Sequence, residues 1–178
     1  MRSLVRLALA FALTIAGGVL AQSPSPSPSP VARIAVSSSA FQANGKIPAQ
    51  YACGAANVNP PLLFRGAPAE TKSFAVIVDD PDAPGGLFTH WLVWNIDPAT
   101  ATIGERSVPQ GASQGTNNFG NIRYDGPCPP KGTHRYFFRV FALDQTLELK
   151  SGSKRGALET AFAGHVLARG ELMAYYSR

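Results

Sequence analysis

Ser73-Phe74-Ala75-Val76-Ile77-Val78-Asp79, followed at once by Asp80-Pro81-Asp82-Ala83-Pro84, is apolar throughout between its first serine and its paired acids. A continuous β-branched run of that length, without alternation, predicts a strand buried on both faces. Side chains repeat every two residues along a strand, so Phe74, Val76, Val78 and Asp80 share one face. Asp80 therefore emerges at the strand's end from a core-facing row. A carboxylate there is either hydrogen-bonded or functional, because an unpaired buried charge costs too much.

Working outward, His90–Ile96 and Arg135–Leu143 are two more segments rich in aromatic and β-branched residues, and both read as strands. His90 opens the first of these, and a period of two places Leu92, Trp94 and Ile96 on its face. His134 and Tyr136 share a face at the start of the second. Val31–Ser37 alternates weakly. Segments rich in Gly, Pro and Asn, such as Gly111–Asn121 and Gly126–Gly132, punctuate the strands. Near the end, Leu158, Ala161 and Phe162, then Val166, Leu167 and Leu172, fit a 3.6-residue period and predict short helices interrupted near Gly164 and Gly170. Strands first and helices last indicate a mostly-β domain with a helical appendix. Two histidines and two aspartates then fall at strand ends joined by stiff Pro/Gly loops, which is how a scaffold presents a preformed polar pocket.

The first thirty residues read differently. Arg2 and Arg6 precede an apolar run, Leu7–Ala16, and Val19-Leu20-Ala21 supplies small residues for a signal-peptidase site. Residues 1–21 are expected to be a cleaved export signal, since Leu7 to Ala21 is too short to span a bilayer, which needs about 20 residues. The destination is the periplasm or the exterior, with no transmembrane anchor after cleavage. Residues 22–30 carry four Ser-Pro repeats, an extended polyproline spacer. Residues 31–178 remain as one domain.

Composition excludes several classes. The chain carries 16 Lys+Arg against 11 Asp+Glu, and without Arg2 and Arg6 the excess falls to +3. Its basic residues form no run interleaved with aromatics, so nucleic acid is not the expected partner. Two cysteines, Cys53 and Cys128, favour a disulfide in an exported chain, closing a loop of about 75 residues. Two buried free thiols are the alternative.

These motifs resemble the phosphatidylethanolamine-binding protein family, in its bacterial Raf-kinase-inhibitor-like branch (the YbhB/YbcL type). The resemblance rests on Asp80-Pro81-Asp82-Ala83-Pro84, His90-Trp91, Gly120-Asn121, Tyr124 through Tyr136, Pro60-Pro61-Leu62 and Gly164 through Ala168. It implies two antiparallel sheets packed as a sandwich with Greek-key connections, and short C-terminal helices beside a small anion pocket. It also implies that Asp80, His90 and His134 build that pocket, with Asp82, Tyr136 and the Gly126–Pro130 loop, including Cys128 and Pro129, shaping its wall. The implied ligand is phosphate or a phosphorylated headgroup, with imidazole and loop N–H groups as donors and Asp80 orienting a histidine. Seven residues separate Asp82 from His90, where eukaryotic relatives carry a longer insertion, and Cys128 stands where those relatives have glycine.

The resemblance implies a binding protein and no cofactor. Three rival readings are weighed against that expectation. Two His and an Asp can ligate zinc, although no H-x-x-x-H spacing exists. A His/Asp hydrolase needs a nucleophile, and no G-x-S-x-G is present. A protein-level inhibitor would use the pocket rim to capture a partner. His165 is expected to serve the turn between the terminal helices, and Phe41, Phe64 and Phe119 to be core or loop anchors.

Overall fold

The computed structural model describes residues 31–178. The expected export signal and Ser/Pro spacer lie outside the described residues. Nine strands, one helix and a 3-10 turn (Ala49–Tyr51) follow one another among the described residues. They are β1 (Ala32–Arg33), β2 (Ala35–Ser37), β3 (Leu62–Arg65), β4 (Ser73–Asp80), β5 (Phe88–Ile96), β6 (Thr102–Ile103), β7 (Ser113–Gln114), β8 (Thr133–Leu143), α1 (Arg155–Phe162) and β9 (Val166–Ser177). One sheet has the order β1-β9-β8-β4-β5-β7 and the other β2-β3-β6. The ladders are antiparallel except that β1 lies parallel to β9.

The continuous apolar run is the centre of the larger sheet. All eight residues of β4 are buried, with β5 on one side and β8 on the other. Its faces serve two cores. Phe74, Val76 and Val78 pack with Leu62, Phe64 and Ile103 of the smaller sheet, which makes the sandwich interior. Ala75 and Ile77 pack with Leu92, Trp94, Leu158 and Phe162, which seats α1 on the outer face. A mostly-β sandwich is thus the observed architecture.

Two sequence expectations fail locally. The second terminal helix is absent, and Val166–Ser177 is instead the twelve-residue strand β9, paired with β8 from Leu143↔Val166 to Thr133↔Ser177. Its buried members Ala168, Leu172 and Ala174 do keep a period of two. The missing member of that row is Gly170, where any Cβ would overlap the Ile34 carbonyl oxygen. A glycine demanded by close backbone approach thus hid the alternation that marks a strand. His165 accordingly serves a helix-to-strand turn, where its amide donates to the Phe162 carbonyl and its ring pairs with Asp144 at 2.9 Å.

The second failure concerns β5. Val78 pairs with Trp91 but Asp79 pairs with Thr89, so His90 is an extra residue in the strand. A bulge of this kind shifts the facing of everything beyond it by one position. Leu92 and Trp94 therefore belong to the outer core, while Trp91 and Val93 join the interior. A second irregularity, where Asn95 adopts a left-handed φ of 56°, returns Ile96 to the interior face. His90 consequently shares the sandwich side with Trp91 and Tyr136.

Candidate functional site

The cavity at this end of the larger sheet encloses about 120 Å³. Its polar lining comes from Asp80 on β4, His90 on β5 and His134 on β8, all nearly sealed from solvent. Each side chain has a local cause for its place. The His90 bulge delivers one imidazole. Pro81 follows Asp80 and lacks the amide a ladder requires, so the chain turns away there, and the Asp82 amide donates to Asp80 Oδ1 at 2.8 Å. Asp80 Oδ2 lies 2.7 Å from His134 Nδ1 across the β4–β8 pair.

Held from behind, His90 has its Nδ1 only 2.6 Å from the Asp125 carbonyl oxygen, and the Asp125 amide donates back to the His90 carbonyl at 3.2 Å. The Asp125 side chain is clamped in turn. It accepts from Asn57 Nδ2 at 2.9 Å, Asn117 Nδ2 at 2.8 Å, Asn121 Nδ2 at 2.8 Å and Arg123 Nε at 3.1 Å. Burial works to raise the Asp125 pKa, but hydrogen bonds from Asn117, Asn121 and Asn57 and the Arg123 charge hold it below the usual carboxylate range. Sequence reasoning missed this support entirely. Its one visible signal was the density of amides from Asn117 to Asn121; Asn57 comes from far upstream and adopts a left-handed φ of 53°.

Burial also dominates at His90, pushing its pKa down against the opposing influence of the Asp125 carbonyl and the Asp80 charge. Three aromatic rings surround it, with centroids at 5.1 Å for Phe88, 5.3 Å for Tyr136 and 5.6 Å for Phe119. Tyr136 is fully buried, and burial together with the neighbouring Asp80 charge raises its phenol pKa.

The remaining expected residues divide. Cys128 and Pro129 line the cavity, as do Ala83, Pro84, Phe88, Phe119 and Pro130. Phe41 and Phe64 are buried in the core, but Phe119 is 44% exposed on the cavity's rim. Asp82 does not face inward. It meets Arg135 in a two-point ion pair at 2.6 and 2.9 Å, and that guanidinium holds its carboxyl at about 2. Gly126 lies behind the wall, where a Cβ would overlap the Tyr51 carbonyl oxygen. Its amide donates to Asn57 Oδ1 at 2.7 Å.

That detail alters the expected chemistry of the wall. Pro127, Pro129 and Pro130 carry no N–H, and the Gly126 amide is committed, so of Gly126–Pro130 only Cys128 keeps a spare backbone donor. The polar side chains on the lining are thus Asp80 and the two imidazoles. Cys128 is joined to Cys53, with Cα atoms 5.4 Å apart, and the Cys53 amide donates to the Pro127 carbonyl at 3.1 Å. The cross-link pins the wall to the segment after the 3-10 turn. Among the described residues no three His, Cys, Asp or Glu side chains converge as a metal ion would require.

The family model described as phosphatidylethanolamine-binding protein matches residues 37–177. A UPF0098 protein of Pyrococcus horikoshii is 50% identical over 149 residues, covering 79% of this chain and 75% of its own. Two crystal structures are similar. A putative phosphatidylethanolamine-binding protein homologue from Chlamydia trachomatis has a TM-score of 0.79 at 38% identity, covering 82% of this chain and 98% of its own. Escherichia coli YbcL, described as a member of the mammalian PEBP family, has a TM-score of 0.78 at 32% identity, covering 83% and 99%. The order of motifs, the sandwich and these likenesses agree: the chain belongs to the phosphatidylethanolamine-binding protein family, in its bacterial branch.

Proposed function

We propose that the protein is an exported binding protein whose cavity holds a small oxyanion, either free phosphate or the phosphoryl group of a headgroup. One observation carries the reading: two imidazoles converge on a single cavity, each with Nδ1 engaged inside the protein and Nε2 left for a ligand. An imidazolium at His134 is balanced by Asp80 behind it, so a charge can sit at the cavity without a net excess of buried charge. Binding is the role this reading assigns, and Cys128 on the lining is committed to the disulfide and offers no free thiol. Export fits the same cross-link, which an oxidising compartment maintains.

Phosphate titration followed by NMR tests the reading. His90 and His134 ring signals are expected to move together and saturate by millimolar phosphate, and His134→Ala is expected to abolish the shift. Unmoved rings at that concentration would overturn it. The mass of the protein recovered from its host checks export, since loss of residues 1–21 is expected.

The exposed apolar rim favours a second reading. Phe119 (44% exposed) lines the cavity and Leu87 (51% exposed) precedes the lining residue Phe88, and both suit contact with a partner protein or with the apolar part of a larger ligand.

A further inference from the structure

We propose that the open edge of the smaller sheet is a docking groove for an extended peptide, which adds to β6 as a fourth strand and sets a basic side chain against Asp97. The groove shares no lining residue with the cavity and does not depend on the anion reading.

It encloses about 560 Å³ where the chain crosses from one sheet to the other. Thr100, Thr102 and Gly104 contribute one arm, and Ser107, Gln110 and Gly111 the other. The chain runs through β6, turns at Glu105 and Arg106, where Arg106 takes a left-handed φ of 52°, and returns toward β7. Among the described residues no backbone hydrogen bond joins the two arms, so they stand apart.

The register fixes which way the β6 backbone faces. The Phe64 amide donates to the Ala101 carbonyl at 3.0 Å, and Leu62 pairs with Ile103. Polar groups alternate between the two edges of an antiparallel strand. Ala101 and Ile103 therefore bond to β3, and Thr102 turns its N–H and C=O the other way, toward the groove. The edges of the larger sheet are closed by the molecule's own chain. The Asn44 and Ile47 amides donate to the Met173 and Tyr175 carbonyls of β9, and the Gln114 carbonyl of β7 accepts from Gly152. No comparable bond reaches Thr102 among the described residues, and β6 carries neither proline nor lysine to discourage pairing.

The second arm is held off β6 from inside. Buried Asn59 accepts from the Ser107 amide at 3.0 Å and donates to the Gly104 carbonyl at 2.9 Å, and its own carbonyl accepts from the Arg106 amide at 3.2 Å. The gap beside the free edge is thus preformed. Thr100 to Gly104 gives it a length of roughly 17 Å, enough for about five extended residues. Strand addition takes affinity from main-chain hydrogen bonds and specificity from side chains. Asp97 is the one ionisable residue on the lining, and its Oδ1 accepts from the Ala99 amide at 2.7 Å, which leaves Oδ2 for a cation. A Lys or Arg in the guest strand meets that need.

Decapeptides selected on the protein from a random displayed library test the proposal, with hydrogen exchange in the complex read by NMR. Selected peptides are expected to be enriched in Lys or Arg and to slow exchange of the Thr102 amide at least about tenfold. Failure to select any peptide that binds below millimolar concentration would overturn the proposal, as would protection that falls elsewhere, such as at the Phe119 rim. Thr102→Pro removes the outward N–H at an edge position that tolerates proline. It is expected to keep the melting temperature and to weaken the peptide at least about tenfold. Asp97→Asn carries the test even where that variant does not fold. It keeps the Ala99 contact, and it is expected to weaken a Lys-containing peptide about threefold while leaving the same peptide with Gln in place of Lys unchanged. Equal losses for the two peptides, or no loss for either, would sink the pairing with Asp97 and the proposal with it.

Discussion

Asp79 and Asp80 are adjacent in sequence, equally buried and of the same chemical type, yet they point to opposite faces of the sheet and meet different partners. Asp79 faces α1, where its Oδ2 accepts from Arg155 at 2.9 Å and pairs with Arg139 at 3.2 Å. Arg155 also reaches Glu159 on the next turn, and Arg139 reaches Glu171 on β9 and lies over the Phe137 ring. Asp80 faces the cavity and meets an imidazole. A guanidinium carries its charge permanently, whereas an imidazole gains or loses one near neutral pH. One carboxylate is therefore fixed as a fastening for the helix, and its neighbour is coupled to a group that can change state. Burial alone does not distinguish a structural acid from a functional one; the titratability of its partner does.

The largest expected effect falls on the cavity side. Replacing both Cys53 and Cys128 with serine is expected to cost about 4 kcal/mol of stability in denaturant unfolding, because the cross-link restricts a long loop in the unfolded chain. The same bond predicts no thiol labelling of the protein when it is denatured without reductant. Next comes Asp79→Ala, expected to cost about 2 kcal/mol in thermal or denaturant melts while phosphate affinity stays unchanged. Removing one partner of a buried pair costs more than that where the other stays sealed, but Arg155 and Arg139 are 21% and 30% exposed and can turn to water.

Asp80→Asn should invert that pattern. The isosteric amide is expected to cost only about 1 kcal/mol of stability but to lower phosphate affinity by roughly tenfold and flatten its dependence on pH. Equal stability losses at positions 79 and 80 would break the contrast between the two faces. The smallest effect concerns acid. Because burial lowers the His90 pKa, the unfolded chain takes up that proton first as pH falls. The resulting stability is present above about pH 6.5 and is lost as pH falls through the lower value of the folded protein. Melts from pH 7 to pH 5 should show this decline, and it should be weaker in His90→Gln.

Much of this arrangement could be read from the sequence, because β4, β5 and β8 carry strong apolar signals and Asp80, His90 and His134 stand at their ends. What stayed hidden depends on backbone irregularity or on distant partners. The bulge at His90 comes from pairing with β4, which a period of two within β5 alone cannot reveal. Strand β9 was obscured by a glycine that its contact with Ile34 requires. The clamp on Asp125 joins Asn57 to residues some sixty positions later, and no local pattern announces a hydrogen bond across that distance. The spent amide of Gly126 followed from the same clamp.

The two-residue pairing of β1 with β9 has a mechanical consequence. Any pull transmitted through the residues before Val31 reaches the domain first at Ala32 and Arg33, whose ladder is parallel and only two pairs long. The next hold is Ile34, whose amide donates to the Arg169 carbonyl at 3.0 Å. Strand β8, by contrast, is secured to β9 by eleven register pairs. Load applied at that end should therefore strip β1 away well before it disturbs the strands that carry Asp80, His90 and His134. The first strand behaves as a breakaway fitting, and a bound ligand should survive its release.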